Sequence, residues 1–238
     1  MLSGVSSPFG ADTPAVRIAE CNRWSHDVAG RPVGVSAQKN LTHSTLLPDL
    51  YIDEHKLRMD QIEQQIRQWL EQVVMGLNLC PFAGTPYRNG QVRISISEAT
   101  TDEALLAHLQ NELALIDQTP ATQLETTLLV VPSMLADFDA YNQFLTPADA
   151  LLRHGGWEGK FQIASFHPRY QFRGTKGDDA SNLTNRSPWP ILHIIREASI
   201  DRALADYPEP DSIPARNIRK MKSLSPQEIR DYFPWLAR

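Results

Sequence analysis

Three short apolar segments, joined by connections of about 30 residues with helical centres, constrain the fold of this chain more than any other feature. Residues 92–97 alternate apolar and polar side chains, residues 128–131 are continuously apolar, and residues 161–166 form the third segment. Such patterns are typical of β-strands, and connections of this length are what parallel strands require. The sequence therefore predicts an α/β fold: a small three- to four-stranded sheet built from consecutive βαβ-like units, with helices packed on it.

A second arrangement fits the same pattern. A ferredoxin-like α+β fold with an antiparallel sheet also joins short strands through helices. Only three strands are evident, and a short fourth strand around Gln171 would complete either sheet.

Helices are predicted before and between the strands. Residues 53–78 carry an apolar stripe at three- and four-residue spacing, and this helix must end before Pro81, which lacks a backbone N–H. Thr100 followed by Glu103 fits a capping box for the next helix, and Ser133 fits the cap of another. The pattern indicates helices at about the positions that a βαβ chain needs.

The C-terminal part is also predicted to be helical. Ser187-Pro188 begins a predicted helix, and Ser212 and Ser225 each precede a short one. The first of these helices carries the apolar residues Ile191, Leu192, Ile194 and Ile195.

Composition limits the class of protein. The chain has 238 residues and a net charge of −5, which argues against a general nucleic-acid binder. Residues 1–50 show no sustained periodic pattern of apolar residues and are interpreted as a flexible extension. A single α/β domain over residues 51–238 follows it. Cys21 and Cys80 lie in regions of different character, so no disulfide framework is expected. The absence of a long apolar run predicts a cytoplasmic protein without a membrane partner.

A polar, glycine-containing loop follows the third strand and indicates a site. In parallel sheets, ligands bind beyond the carboxyl ends of the strands, which is where His167 stands. An imidazole there suits an acid/base role or metal ligation near neutral pH, and the alternative is a histidine that caps the strand or bonds a backbone carbonyl. Asp178 and Asp179 follow Gly174 and Gly177, and Asp179 is predicted to orient His167 or to bind a metal. The alternative is a solvated turn, where Asp and Gly are common.

Basic and amide side chains surround the same loop. The free N–H groups at the start of the predicted helix favour an anion. The residues predicted to bind an anionic substrate are Arg173, Lys176, Asn182, Asn185, Arg186 and Arg196. The alternative is charge balance against the neighbouring carboxylates.

A divalent metal is the second chemical hypothesis. His193 and Glu197 are four residues apart, so they share a face of the predicted helix, and Asp178 offers a third ligand. Oxygen ligands with one or two imidazoles suit Mn, Fe or Zn. Cys80 is a further candidate, as a nucleophile. Its predicted place at the end of a helix favours a buried structural thiol instead, because the helix dipole there raises the pKa of a thiol.

Three motifs carry a family resemblance. They are LNLCPFA at residues 77–83, SFHPRYQF at residues 165–172, and DDASNLTNRSPWPILHIIREAS at residues 178–199. They resemble the bacterial family catalogued as domain of unknown function 1415, over roughly residues 62–229. The resemblance implies a soluble bacterial protein with relatives in photosynthetic eukaryotes. It implies no reaction, cofactor or site residue.

These observations leave three functions open. The first is a hydrolase or group-transfer enzyme acting on a small anionic molecule, with His167 and Asp179 as catalytic residues. The second is a metal-binding protein. The third is a non-catalytic interaction protein, in which the polar loop residues form a structural network.

Overall fold

A four-stranded mixed sheet forms the centre of the computed structural model, which describes residues 48–205 and 207–237. Its strands are β1 (Val92–Ile96), β2 (Thr126–Val130), β3 (Phe161–Phe166) and β4 (Ile191–Arg196), in the spatial order β1-β2-β4-β3. β1 and β2 are parallel, whereas β4 lies between β2 and β3 and is antiparallel to both. β1, β2 and β3 therefore run in the same direction, and their carboxyl ends share one edge of the sheet. The predicted α/β class and the three predicted strands are confirmed.

The fourth strand corrects the sequence prediction twice. It is not near Gln171, and the helix predicted after Ser187-Pro188 does not form, because its apolar residues make up β4. Ile191 packs on one face of the sheet and Leu192 and Ile194 on the other. Because β4 has buried apolar residues on both faces, its apolar residues do not alternate strictly, and its pattern fits a helix as well as a strand.

Helices cover both faces of the sheet. α3 (Asp102–Gln118) and α4 (Phe138–His154) pack on one face. The other face is covered by α1 (Pro48–Trp69), a π-helical continuation (Leu70–Met75) and the C-terminal helices α6 (Ile213–Lys222) and α7 (Pro226–Tyr232). The shorter elements are α2 (Gly84–Arg88), α5 (Glu197–Ala205) and three 3-10 turns (Ala180–Asn185, Pro210–Ser212, Pro234–Ala237). Because alternate residues of each strand point to opposite faces, the sheet contributes to two separate cores.

The helix ends follow from local capping. Thr101, one residue after the predicted cap, accepts the N–H of Ala104, and α4 is capped by Asp137 rather than by Ser133. The capping box predicted at Ser225 is confirmed. The first helix ends close to the predicted boundary, and Asn78 beyond it has a φ of 53°, a left-handed conformation that asparagine tolerates.

Parts of the predicted organisation lie beyond these residues. Residues 1–47 and Cys21 fall outside the described chain, so the flexible extension and the domain boundary stay predictions. Within residues 48–205 and 207–237, no helix is long and apolar enough to cross a lipid bilayer.

Candidate functional site

His167 lies at the end of β3, as predicted, but both of its ring nitrogens are engaged. Nε2 is 3.0 Å from the carbonyl oxygen of Leu135, and Nδ1 accepts the backbone N–H of Arg169 at 3.0 Å. Because Nδ1 accepts a hydrogen bond from a backbone N–H, this nitrogen must be unprotonated. The proton of the neutral ring is therefore on Nε2. The side chain is 0% exposed, and burial lowers its pKa to about 4. The imidazole is therefore neutral near pH 7 and joins two loops.

Asp179 caps the 3-10 turn that follows the glycines. Its carboxylate accepts the N–H of Ser181 at 2.9 Å, and this hydrogen bond lowers the pKa of the Asp179 carboxyl. Over the described residues, no hydrogen bond joins Asp179 to His167. Asp178 beside it is exposed. In this conformation, Asp179 acts on its own loop and does not orient the imidazole.

Asn182 and Asn185 are buried and hold the loop together. The Asn182 side chain is 0% exposed and bonds Phe172 N, Thr175 Oγ1 and Lys176 O at 2.9, 2.9 and 2.8 Å. Asn185 donates from Nδ2 to Ser165 O at 3.2 Å. These amides satisfy backbone groups that a buried loop would otherwise leave without partners.

Arg186 is part of the same network. Its guanidinium donates to Tyr170 O at 3.2 Å and to Gly177 O at 2.7 Å, and burial lowers its pKa. Its own carbonyl accepts the indole N–H of Trp69 at 3.1 Å. The side chain thus ties the loop together. Its guanidinium N–H groups, which could otherwise bind an anion, donate to these two carbonyl oxygens.

Arg196 is separated from the other predicted anion ligands. It points to the α3 face of the sheet and donates to the carbonyl oxygens of Ile116, Thr119 and Leu124. Ile116 lies in the last turn of α3 and the other two residues follow it, at the helix end where a cation is favoured. Arg173 and Lys176 are exposed on the loop. The predicted helix that was to start beside these cations is a strand, so the argument for an anion at a helix N-terminus is wrong.

The predicted metal ligands also lose their common helix face. His193 is in β4, where its Nε2 lies 2.7 Å from Thr126 Oγ1, and burial lowers its pKa to about 4. Thr126 donates its own hydroxyl proton to Ile194 O, so it accepts the proton of His193 Nε2. Glu197 begins α5. The described residues contain no group of three His, Cys, Asp or Glu side chains placed to hold a metal ion.

Cys80, the candidate nucleophile, is a free thiol beyond the end of the π-helical segment. Burial raises the pKa of the Cys80 thiol, which disfavours the reactive thiolate. Cys80 is half-buried, and its position after a helix end agrees with the alternative of a structural cysteine.

A second polar cluster was not singled out by the sequence. Glu112 accepts hydrogen bonds from Arg93 at 2.8 and 3.0 Å and from Ser95 at 2.7 Å. Although burial opposes ionisation, the hydrogen bonds from Arg93 and Ser95 hold the pKa of Glu112 below its usual value. His108 lies 3.1 Å from the hydroxyls of Ser95 and Ser97, but 3.6 Å from Glu112. The carboxylate does not orient the imidazole as in a Ser-His-acid triad, and the cluster joins β1 to α3.

An aromatic groove is the other feature that sequence reasoning missed. It has a volume of about 290 Å³, near the lower end for ligand pockets. Its lining comes from the end of α1, the π-helical segment, the residues after β3 and before β4, and the C-terminus. The lining residues are Gln65, Gln68, Trp69, Gln72, Pro168, Pro188, Trp189, Tyr232, Pro234 and Trp235. None of these side chains is charged.

The π-helical segment forms part of this groove. A π-helix has wider turns, with backbone hydrogen bonds between residues five apart. Here Gly76 N donates to Glu71 O and Leu79 N donates to Val74 O, both at 2.9 Å. Gln72 lies in this segment and lines the groove. Helical segments of this kind are rare and frequently occur at functional sites.

Comparison with known proteins decides the family. A family model described as a protein of unknown function, DUF1415, matches residues 61–231. The chain belongs to the DUF1415 family. The resemblance predicted from the three motifs is confirmed, whereas the predicted bacterial origin stays a prediction. No curated protein and no solved structure matches the chain.

Two of the motifs that carry the DUF1415 resemblance meet at the groove. Pro168 comes from the motif that contains His167, and Pro188 and Trp189 come from the long motif that includes β4. Since the buried polar network spans the same two motifs, the network fixes the position of the groove wall.

Proposed function

We propose that this DUF1415 protein is a binding protein that holds an uncharged segment of a partner polypeptide in the aromatic groove. One observation supports the proposal above the others. The groove is lined by aromatic, proline and glutamine side chains without a charge, whereas the buried histidine, asparagines and arginine of the loop are bonded to the protein itself.

The lining favours a polypeptide on physical grounds. Trp189, Tyr232 and Trp235 provide large, rigid apolar surfaces that lose little conformational entropy on binding. Glutamine amides provide hydrogen-bonding groups without favouring either charge. A neutral lining gives no electrostatic compensation for desolvating a charged ligand, so a charged segment is disfavoured.

The hydrolase or group-transfer function with a small anionic substrate stays a prediction, and the geometry gives it less support. A general base needs a nitrogen that is free to take a proton, and His167 uses Nδ1 to accept the N–H of Arg169. The test is a survey of hydrolase substrates with the wild type and a folded His167→Gln variant. Any activity that both share equally would exclude an acid/base role for His167.

Selection from a displayed library of neutral random peptides tests the binding proposal. The affinities of the recovered peptides are then measured for the wild type, for Trp189→Ala and for Gln68→Arg. The last variant places a charge at an exposed groove position. We expect at least a tenfold loss of affinity for both variants, since central aromatic residues dominate such interfaces. Arg153→Ala, an exposed change on α4 across the sheet, is the matched control.

Two results would contradict the proposal. One is that the library yields no peptide whose binding saturates. The other is that the recovered peptides bind the Gln68→Arg and Arg153→Ala proteins equally well, because binding would then occur elsewhere on the molecule.

A further inference from the structure

We infer that two copies of this chain join through the outer edge of β1, which pairs with itself in antiparallel fashion about a twofold axis. The two four-stranded sheets then become one continuous sheet. This inference does not depend on the proposed function. It follows from the backbone groups that each edge of the sheet leaves unbonded.

The edge of β1 presents unbonded backbone groups. β1 is the first strand in the order β1-β2-β4-β3, so only one of its sides has a strand neighbour. Ser97 N donates to Val130 O, and alternate residues of a parallel strand bond to the same side, so the odd-numbered residues of β1 face β2. The N–H and C=O groups of Val92, Ile94 and Ile96 therefore point outwards. Among the described residues these groups have no hydrogen-bond partner.

The opposite edge of the sheet is closed by its own connections. In β3 the outward residues are 161, 163 and 165, since the even-numbered residues bond to β4. Phe161 N donates to Trp157 O, and Ser165 O accepts Asn185 Nδ2 at 3.2 Å. Because the chain itself bonds part of this edge, a further strand fits β1 better than β3.

β1 also lacks the features that keep edge strands apart. Proteins commonly protect an edge with a proline, a bulge or a charged side chain. Residues 92–96 contain no proline, and they pair with β2 in an unbroken register. The single charge is that of Arg93, whose Nε lies 2.8 Å from Glu112 Oε2 on the α3 face of the sheet. The edge therefore has no uncompensated charge that would repel another strand.

The strand is complementary to itself about Ile94. In antiparallel pairing centred there, Ile94 lies opposite Ile94 of the second copy, and Val92 lies opposite its Ile96. Every outward residue then meets an outward residue, and the three pairs exchange about six hydrogen bonds. These half-buried, β-branched side chains also pair across the strands on the face that α1 covers. Arg93 lies opposite Ser95 of the second copy, so like charges do not face each other.

This self-complementarity selects a second copy as the occupant. A twofold contact uses the same surface of both subunits, so one strand satisfies the requirements of both sides. The dimer also leaves no open β1 edge, which would otherwise accept strands from other chains.

Sedimentation of the full-length protein tests the inference, and we expect a dimer at micromolar concentration. Val92→Pro removes one outward N–H at the first position of the strand, where proline is tolerated, and the twofold axis doubles the loss. Val92→Ala shortens the same side chain but keeps the N–H, so it is the matched control. We expect the dissociation constant of the Val92→Pro dimer to be at least tenfold above that of Val92→Ala.

Cysteine crosslinking tests the register in variants that keep every backbone N–H. In the proposed pairing the Cα atoms of the two Ile94 residues are about 5.5 Å apart, which suits a disulfide. Ile94→Cys should therefore crosslink two chains on mild oxidation. Ile96→Cys lies on the same edge and the same face, but its two copies are offset by about 14 Å along the strands and should not crosslink. Wild-type protein, with its own two cysteines, gives the background.

Three results would overturn the inference. The first is a monomer at every concentration measured, as expected if the chain's own residues 1–47 or a different partner occupy the edge. The second is an equal dissociation constant for Val92→Pro and Val92→Ala, because the dimer would then form through another surface. The third is crosslinking of Ile94→Cys that does not exceed that of Ile96→Cys, because the strands would then not pair about Ile94.

Discussion

Replacement of His167 by glutamine should change how the stability of the protein depends on pH. In the native structure His167 is held neutral with a pKa of about 4, mainly because it is buried. In the unfolded chain its pKa returns to about 6.5. Between these values the unfolded state binds more protons, so the free energy of unfolding rises with pH through this window. The stabilisation is complete above about pH 6.5 and decreases as the pH falls towards 4.

The size of the effect follows from the two pKa values. Protonation linkage gives a loss of about 2 kcal/mol between pH 8 and pH 5 from His167 alone. Glutamine can still donate to Leu135 O but cannot titrate. At pH 8 the variant should be less stable by about 1–3 kcal/mol, because the N–H of Arg169 loses its acceptor. At pH 5 this difference should shrink by about 2 kcal/mol.

Urea unfolding at a series of pH values, followed by tryptophan fluorescence, measures this difference. His193, whose pKa is also lowered to about 4, contributes equally to both proteins and cancels in the comparison. A difference between wild type and variant that stays constant from pH 8 to pH 5 would refute the reasoning. A difference that grows on acidification would mean that the folded protein stabilises the charged imidazole, as an acid/base role would favour.

Three further substitutions test the structural assignments by urea unfolding. Asn182→Leu removes three hydrogen bonds, so it should lower the free energy of unfolding by about 2–3 kcal/mol and make the loop between β3 and β4 easier to cleave with protease. Normal stability would show that the network is dispensable. Arg196→Lys keeps the charge but loses the planar guanidinium that reaches three carbonyls, so the free energy of unfolding should fall by about 1–2 kcal/mol. An unchanged free energy of unfolding would mean that the charge alone matters. Gly155→Ala places a Cβ 2.4 Å from ring carbons of Trp157 and should cost about 1–3 kcal/mol through overpacking, an expectation that an unchanged unfolding midpoint would contradict.

The sequence predicted most of the sheet because its strands show simple patterns. β1 alternates, β2 ends in a short apolar run that overlaps the predicted residues 128–131, and β3 begins and ends at the predicted residues. The prediction for β4 was wrong because its four apolar residues, within a segment of six, fit a helical period as well as a strand. Proline on its N-terminal side and three isoleucines in six residues were the available signals, since β-branched residues favour strands.

The candidate site was less predictable from sequence, for a physical reason. Asn182, Asn185 and Arg186 have the side chains that bind ligands, but the same groups satisfy the backbone of a buried loop. Residue type does not distinguish these roles. The aromatic groove could not be predicted because its residues come from four separate stretches between Gln65 and Trp235, which only the fold brings together.

The position of β4 has a consequence for protein synthesis. β1 and β2 form a parallel pair around α3, and this unit is complete once Val130 has been made. β3 is translated next, but its strand partner is β4, which comes last. We expect a nascent chain to hold β3 unpaired until residues 191–196 leave the ribosome, and then to close the sheet in one step. Limited proteolysis of stalled chains would show protection of β3 only after β4 emerges; earlier protection would mean that the helices alone hold β3 in place.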